Sequence, residues 1–457
     1  MPSVSSRPFA VTSRTVMAIA VPMTLAHAPT PLLGIVDTAV VGRLGGAAPL
    51  AGLAIGAVVF DLVFGTLNFI RSGTTGFVAQ AVGRGDTAEE EAVFWRGAGL
   101  GAGIGLLVAL LGLPLGTFGA WALGVGGETA EAARLYVAIR ALGTPFSLAN
   151  YAVLGYVLGR GEARLGLALQ VLLNGTNIVL SVALGLGLGW GIAGVALATV
   201  IGEAVATLAG LAILLGRFRA APERPGLARI RDRAAVSRLL VVNGDIMIRS
   251  FCLIGAFALF ARLGAGQGAL TLAANAVLMN LFFLASYLLD GLATAAEQLA
   301  GRAVGARDRD AFDRSVRLSV LWGFALTAPI FVAYAVFGPT LIGWMTTDPA
   351  VRAEAGRFVL WAAATAPLGV LAFQMDGVFI GATWSRAMRD MMIASLALFA
   401  TSALLLVPSF GNHGLWLALN AFLLARGLLL LARLPPLAAR SFGPVPTPVR
   451  NVSTPNG

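Results

Sequence analysis

Charged residues are scarce in this chain. They make up 12% of its 457 residues, whereas soluble globular proteins carry about 25%. Hydrophobic residues make up 58%, and they form long continuous runs rather than the alternating pattern of a membrane β-barrel. Because a backbone in lipid satisfies its polar groups within helices of about 20 apolar residues, the sequence excludes a water-soluble domain and predicts an all-α membrane protein.

Cysteine is nearly absent as well. The one cysteine, Cys252, lies in an apolar run, so no intrachain disulfide can form. The sequence also lacks a Walker phosphate loop, a Cys/His metal-ligand spacing and a nucleophile elbow. We therefore expect neither an enzyme nor a pump that hydrolyses ATP by itself, and we expect no cofactor and no bound metal.

Lysine is absent, so all 32 basic residues are arginines, and the net charge is +10. A basic chain could bind nucleic acid, but these arginines lie in short tracts between apolar runs, as in membrane proteins. The tracts concentrate at both ends and in the even-numbered gaps, while the odd-numbered gaps hold few, among them Arg134 and Arg140. The positive-inside rule then predicts an even number of spans, with both termini on the cytoplasmic side of the inner membrane.

Twelve apolar runs follow one another along the chain, and the longest basic gap between them contains two prolines. This pattern predicts about twelve transmembrane helices in two lobes of six. The predicted order is a cytoplasmic N-terminus (1–14), an N-lobe (15–216), a cytoplasmic linker (217–235), a C-lobe (236–435) and a disordered cytoplasmic tail (436–457).

The two halves repeat several glycines and one acidic residue at a near-constant offset. Residues 81–86 match residues 303–308 at an offset of 222 (303 − 81). Two glycine pairs match in the same order, at offsets of 222 (377 − 155) and 220 (411 − 191): Gly155/Gly159 with Gly377/Gly381, and Gly191/Gly194 with Gly411/Gly414. Halves that start on the same side are related by an axis along the membrane normal, a plan typical of transporters that rock two lobes around a substrate.

Ionisable residues within the apolar runs are candidate functional groups, because a charge in hydrocarbon costs several kcal/mol. In the first half Asp37 follows Pro22, Pro29 and Pro31 in span 1. Proline removes a helix hydrogen bond and permits a bend, so the shape of span 1 could respond to the protonation of Asp37. The alternative is that Asp37 lies near the outer end of the span and faces water. Polar residues that could complete a pocket around it include Tyr136, Asn177, Ser181 and Thr199.

The second half carries a separate set of charged residues in its spans. Asp245 and Arg249 have the spacing of an ion pair on one helix, and Asp290 and Glu297 also share a helix face. Together with Asp376 they either form a structural network, in which Arg249 neutralises Asp245 or Asp376, or take part in transport. Glu203 has no evident partner in the sequence, and we expect Arg71 and Arg426 to extend towards the membrane surface.

Five segments carry a resemblance to a known family: residues 35–42 (IVDTAVVG), 50–54 (LAGLA), 73–80 (GTTGFVAQ), 191–199 (GIAGVALAT) and 243–249 (NGDIMIR). Over residues 12–435 the chain resembles the multidrug and toxic compound extrusion (MATE) transporters, in particular their DinF-like branch. The resemblance implies two six-helix lobes around a cleft. It also implies export of amphipathic, often cationic organic compounds in exchange for H+ or Na+.

The resemblance also implies roles for individual residues. It places the coupling acid at Asp37, the bending proline at Pro22, and the polar groups around the acid at Tyr136, Asn177 and Thr199. Many relatives have a second acid in span 5, where this chain has Ser181.

In the C-lobe, Arg249 replaces the span-7 glutamate of the sodium-coupled branch, while Asp376 resembles the span-10 acid. A lone carboxylate suits a proton better than Na+, which takes several oxygen ligands. We therefore expect a monomeric, H+-coupled antiporter of small organic compounds that contacts the lipid bilayer and no nucleic acid. Two alternatives are a Na+-coupled exporter and a lipid-linked oligosaccharide flippase of the same superfamily. The flippase would need a strongly basic cavity for its pyrophosphate.

Overall fold

The chain is helical almost throughout. A computed structural model describes residues 9–27, 30–43 and 45–443. The first half contains α1 (Ser13–His27), α2 (Thr30–Arg43), α3 (Ala47–Leu67), α4 (Phe69–Arg84), α5 (Thr87–Leu110), α6 (Gly112–Ala122), α7 (Gly127–Gly159), α8 (Ala163–Leu180), a π-helical segment (Ser181–Gly187) and α9 (Gly191–Ala220). The remainder contains α10 (Leu227–Ile230), α11 (Arg233–Ala265), α12 (Ala269–Ala306), α13 (Arg309–Met345), α14 (Pro349–Gly381) and α15 (Ser385–Phe442).

Ten helical segments within the described residues are long and apolar enough to cross a membrane. Two features bear on the predicted number of twelve. Helices α1 and α2 are short and lie on either side of residues 28–29, and α15 is 58 residues long with a non-helical residue, Gly411, inside it. The all-α membrane fold is confirmed, whereas the number twelve remains a prediction.

The repeat in the sequence corresponds to equivalent local structure in the two halves. The side chain of Asp86 accepts a hydrogen bond from the backbone N–H of Glu89 at the start of α5, and that of Asp308 accepts one from Ala311 at the start of α13. Such caps satisfy backbone groups that a helix leaves unpaired at its first turn. The two acidic residues recur because each caps the start of the third membrane helix of its half.

Two repeated glycines share an unusual backbone conformation. Gly191 has φ = 56° and Gly411 has φ = 54°, a left-handed region that residues with a Cβ rarely adopt. Gly411 therefore breaks α15 at the point where Gly191 begins α9 in the first half. The next repeated glycines, Gly194 and Gly414, approach the backbone of Leu184 and Leu406 respectively. These two leucines are themselves 222 residues apart (406 − 184).

The two halves meet through close backbone packing at the arginine-rich ends of their helices, where α12 packs against α1 and α4. A Cβ on Gly83 of α4 would overlap the backbone of α12 at Arg302, and one on Gly305 of α12 would overlap α4 at Gln80. The Gln80 side chain donates hydrogen bonds to the carbonyl of Gly381 (2.9 Å) and to the Thr383 hydroxyl (3.1 Å). The structure is therefore closed between the halves at this end.

The segment between the halves is bound to the first half. Its short helix α10 carries Arg229, which forms ion pairs with Asp86 and Glu89. The guanidinium of Arg96 in α5 donates to the backbone carbonyls of Arg229 (2.6 Å) and Ile230 (3.0 Å). These contacts attach the connecting segment to the start of α5.

The end of the chain differs from the predicted disordered tail. Helix α15 continues to Phe442, so residues 436–442 are helical. The Phe442 ring packs against Phe312, with 5.3 Å between ring centroids, and Ser441 accepts a hydrogen bond from Trp384. These contacts hold the last turns of α15 against the body of the C-terminal half. The rest of the predicted tail, residues 444–457, lies outside the described residues, as do residues 1–8 of the predicted N-terminus.

Candidate functional site

Asp37 lies in a polar pocket inside the first half. Its side chain is 9% exposed, and its Oδ1 accepts a hydrogen bond from the Ser181 hydroxyl (2.9 Å). The Ser181 oxygen also lies 3.3 Å from Oδ1 of Asn177, and the Asn177 amide donates to the Thr199 hydroxyl (2.8 Å). The predicted residues of spans 1, 5 and 6 thus form a continuous hydrogen-bonded chain, and Asp37 does not face open water.

A π-helical segment supplies the pocket with Ser181. This residue begins the π-helix Ser181–Gly187 directly after α8 ends at Leu180. Glycine at position 185 lets Val40 of α2 approach this segment, which brings the helix that carries Asp37 against it. Such wide turns are rare and occur often at functional sites. Nothing in our reading of the sequence predicted it.

Tyr136 lies beside this chain of hydrogen bonds without joining it among the described residues. It is 5% exposed and packs with Val40 and Val41 in the apolar core of the first half. Its ring fills the space left by Gly56, which fixes the position of α7 against α3. Tyr136 is therefore a packing residue of the first-half core in this structure.

Pro22 lies within α1, and the helix is continuous from Ser13 to His27 around it. Asp37 lies in α2, which follows α1 along the chain. Predicted Pro29 lies outside the described residues.

A buried ion pair that we did not predict lies next to the Asp37 pocket. Arg140 of α7 is 7% exposed, and its guanidinium contacts Glu203 of α9 at 3.2 Å. Ser147 also donates to Glu203, and the guanidinium lies 4.9 Å and 5.5 Å from the ring centroids of Phe60 and Phe64. The assignment of Arg140 to a loop was wrong, and Glu203 does have a partner. Because the two partners lie on different helices, far apart along the chain, their pairing leaves no local signal in the sequence.

A separate cavity of about 610 Å³ lies between α3–α4 of the first half and α11, α12, α14 and α15 of the second. Its charged lining residues are four acids and three arginines: Asp61, Asp290, Glu297, Asp376, Arg71, Arg249 and Arg426. Asp37, Ser181 and Asn177 are not among its lining residues. The volume falls within the range of pockets for small organic ligands.

The charged residues at one end of this cavity neutralise one another. Asp376 accepts from both Arg249 (2.7 Å) and Arg426. Arg71 lies 3.9 Å from Glu297 across the boundary between the two halves. The prediction that Arg71 and Arg426 extend towards the membrane surface was wrong, because Arg426 is 3% exposed and both side chains line the cavity.

Unsatisfied polar atoms remain among these residues. Oδ1 of Asp376, Oε1 of Glu297, and Nε of both Arg249 and Arg426 are buried without a hydrogen-bond partner in the structure. Asp290 lines the same cavity and forms no ion pair among the described residues. Buried groups of this kind are costly unless something satisfies them, so the charged cluster is incompletely satisfied in this conformation.

Asp245 belongs to a different site from the other predicted acids of the second half. It accepts hydrogen bonds from Ser385 (2.7 Å) and Arg389 (2.7 Å). Of the two partners considered for Arg249, the structure pairs it with Asp376 and not with Asp245 on the same helix. An exposed pair at that spacing contributes only about 0.3–0.5 kcal/mol, so better-placed partners from α14 and α15 decide where each side chain points.

Comparisons with known proteins identify the family. The MatE family model matches residues 22–183 and again residues 246–405, so it matches once in each half, as the repeat in the sequence does. DNA damage-inducible protein F of Escherichia coli K12 is 38% identical over 91% of this chain and 90% of its own length. A probable multidrug resistance protein NorM of Deinococcus radiodurans is 29% identical over 92% of this chain and 94% of its own length.

The fold also matches solved structures. One is the outward-facing conformation of a multidrug resistance MATE family transporter of the MOP superfamily, with a TM-score of 0.83, 18% identity, and coverage of 93% of this chain and 96% of that one. These relatives and structural neighbours are membrane transporters, not enzymes. The chain belongs to the MatE family of multidrug and toxic compound extrusion transporters and is similar over most of its length to the DinF protein of Escherichia coli.

Proposed function

We propose that this protein is an H+-coupled antiporter that exports amphipathic, often cationic organic compounds, with Asp37 as the residue that binds the proton. The observation that carries the proposal is the position of Asp37. It is a buried carboxylate whose hydrogen-bond partner among the described residues is the neutral hydroxyl of Ser181. A carboxylate in such a place can gain or lose a proton without breaking an ion pair.

The ligands around Asp37 favour H+ over Na+. Ser181 stands where a second acid would supply a further negative charge, and the oxygen of the Asn177 amide accepts from the Ser181 hydroxyl at 3.3 Å. The pocket therefore holds one carboxylate, that of Asp37, among neutral polar groups. Sodium takes several oxygen ligands, whereas a proton needs one.

Protonation of Asp37 changes the contact between α2 and the π-helical segment. Hydrogen bonds to a charged acceptor contribute about 1.5–3 kcal/mol and those between neutral groups about 0.5–1.5 kcal/mol. Neutralising Asp37 therefore weakens its contact with Ser181 by about 1 kcal/mol. That difference shifts a two-state equilibrium roughly fivefold. In the proposed cycle, a proton from the outside loosens α2, the first span bends near Pro22, and substrate leaves outward.

The orientation of the cavity fits this cycle. The halves are closed at the end that carries the arginine tracts, through Gly83, Gly305 and Gln80. If the positive-inside rule holds for this chain, both termini are cytoplasmic, the membrane is the inner membrane, and the closed end is the cytoplasmic one. The structure would then represent an outward-facing state. The proposed working unit is the monomer.

The flippase alternative is not favoured by the cavity. A pyrophosphate group needs an excess of positive charge, whereas four acids and three arginines line this cavity. Two of those arginines already bind Asp376.

The proposal is tested by Asp37→Asn in drug-sensitive cells that express the protein. Resistance should fall to the level of cells without the transporter, because the amide cannot accept a proton at physiological pH. Asp310→Asn is the matched control, since Asp310 is exposed at the start of α13, and it should leave resistance unchanged. Normal resistance in the Asp37→Asn strain, at equal amounts of membrane protein, would refute the assigned role.

A further inference from the structure

The cavity contains an acid that is separate from both the Asp37 pocket and the neutralised arginines. Asp61 lies in α3, its residue is exposed, and it lines the cavity. It forms no ion pair among the residues that the structure describes. The cation whose charge acts on it, Arg140, is already paired with Glu203. A carboxylate within a membrane span costs several kcal/mol. An apolar residue would therefore serve better than Asp61 if the position only packed against its neighbours.

Aromatic rings form the wall of the cavity on the side of α11 and α12. Phe257, Phe282 and Phe283 make a cluster with ring centroids 5.5–5.9 Å apart. Phe283 and Tyr287 are 40% and 36% exposed, and both line the same cavity as Asp61. Aromatic faces attract organic cations, so the wall and the acid favour the same kind of ligand.

Asp61 is distant from Arg71, the cavity arginine that lies on the same helical segment. It precedes Arg71 by almost three helical turns in the helical segment Ala47–Arg84. At about 1.5 Å per residue this places the two Cα atoms roughly 15 Å apart. The cavity therefore contains a cluster of paired charges that includes Arg71, Arg249 and Arg426. It also contains Asp61, an acid that lies apart from Arg71 and forms none of these pairs.

We propose that Asp61 binds the charged group of aromatic monocationic substrates, and that substrate and coupling proton therefore occupy different carboxylates. The aromatic body of the substrate lies against Phe257, Phe283 and Tyr287, and its cation faces Asp61. This inference rests on the proposed exporter function and adds the residue that selects the charge of the substrate. Export then depends on a change of shape that links Asp37 to the cavity, not on direct competition for one acid.

Equilibrium binding to the purified full-length protein tests this proposal. The probes are ethidium, an aromatic monocation, and Nile red, an uncharged aromatic dye, both followed by fluorescence anisotropy. Asp61→Asn should raise the Kd for ethidium about tenfold, equivalent to about 1.4 kcal/mol, and leave the Kd for Nile red unchanged. Asp61→Glu restores the charge and should bind ethidium within about threefold of the wild type. Asp310→Asn, the exposed control at the start of α13, should bind both dyes normally.

Several results would overturn the assignment. They are an unchanged ethidium Kd in Asp61→Asn, an equal loss for both dyes, and no ethidium binding by the wild type. The experiment separates this inference from the coupling proposal, because binding at equilibrium needs no gradient. If ethidium affinity depends on Asp61 while Asp37→Asn still exports, the coupling proposal fails and the substrate site stands.

Discussion

Removal of the charge of Glu203 tests how the interior of the first half is held together. Glu203→Gln keeps the shape of the side chain but leaves the guanidinium of Arg140, which is 7% exposed, without its counter-ion. Breaking a buried ion pair from one side typically costs about 3–5 kcal/mol. The contacts of Arg140 with Phe60 and Phe64 are present in both proteins, so they cancel in the difference. We therefore expect a loss of about 3 kcal/mol in the free energy of unfolding.

The assay is chemical unfolding of the detergent-purified protein, followed by tryptophan fluorescence. The control is Glu223→Gln, because Glu223 is an exposed glutamate in the connecting segment, and it should change the free energy by less than about 0.5 kcal/mol. The double variant Arg140→Met with Glu203→Leu removes both charges. It should recover to within about 1 kcal/mol of the wild type, since apolar residues can replace a buried pair. A loss below about 1 kcal/mol in Glu203→Gln, or a double variant less stable than the single one, would contradict this reasoning.

Three further changes have expected outcomes that separate the proposed roles. Ser181→Ala removes the 2.9 Å hydrogen bond to Asp37 and should slow pH-driven dye efflux from vesicles about tenfold, or about 1.4 kcal/mol; an unchanged rate would contradict the mechanism. Gly305→Leu forces a side chain into the backbone of α4 at Gln80. Overpacking of this kind costs about 1–3 kcal/mol, so efflux should fall while the protein still purifies as a folded monomer. Normal efflux would argue against closure of the two halves at this end. Asp245→Asn weakens the contact with Arg389 (2.7 Å). It should lower the free energy of unfolding by about 1–3 kcal/mol and leave efflux unchanged. Loss of efflux at full stability would give Asp245 a part in transport.

Much of the architecture could be predicted from the sequence because local backbone requirements determine the residues that repeat. Gly191 and Gly411 are required by a left-handed backbone, and Asp86 and Asp308 by the first turn of a helix. Each requirement is local, so it leaves a mark at a fixed place in both halves. The low fraction of charged residues and the long apolar runs likewise follow from the surrounding lipid alone, so they predict membrane helices without knowledge of the tertiary packing.

The partners of the buried charges could not be predicted in the same way. Asp376 of α14 binds Arg426, and Asp245 of α11 binds Arg389, so both arginines come from α15 and are distant from their acids along the chain. The sequence favours neighbours on one helix, such as Asp245 with Arg249, but tertiary packing sets which helices face each other. Asp61, in contrast, could have been predicted. It is an acid inside an apolar run, so the rule that made Asp37 a candidate applies to it equally.

The most direct test of the central claim is transport by the purified protein in liposomes loaded with a fluorescent cationic dye. Gradients of pH and of Na+ are imposed one at a time, and the wild type is compared with Asp37→Asn. We expect the pH gradient alone to drive dye movement in the wild type, and we expect none in Asp37→Asn. Dye movement driven by sodium at equal pH, or pH-driven movement that persists in Asp37→Asn, would contradict it.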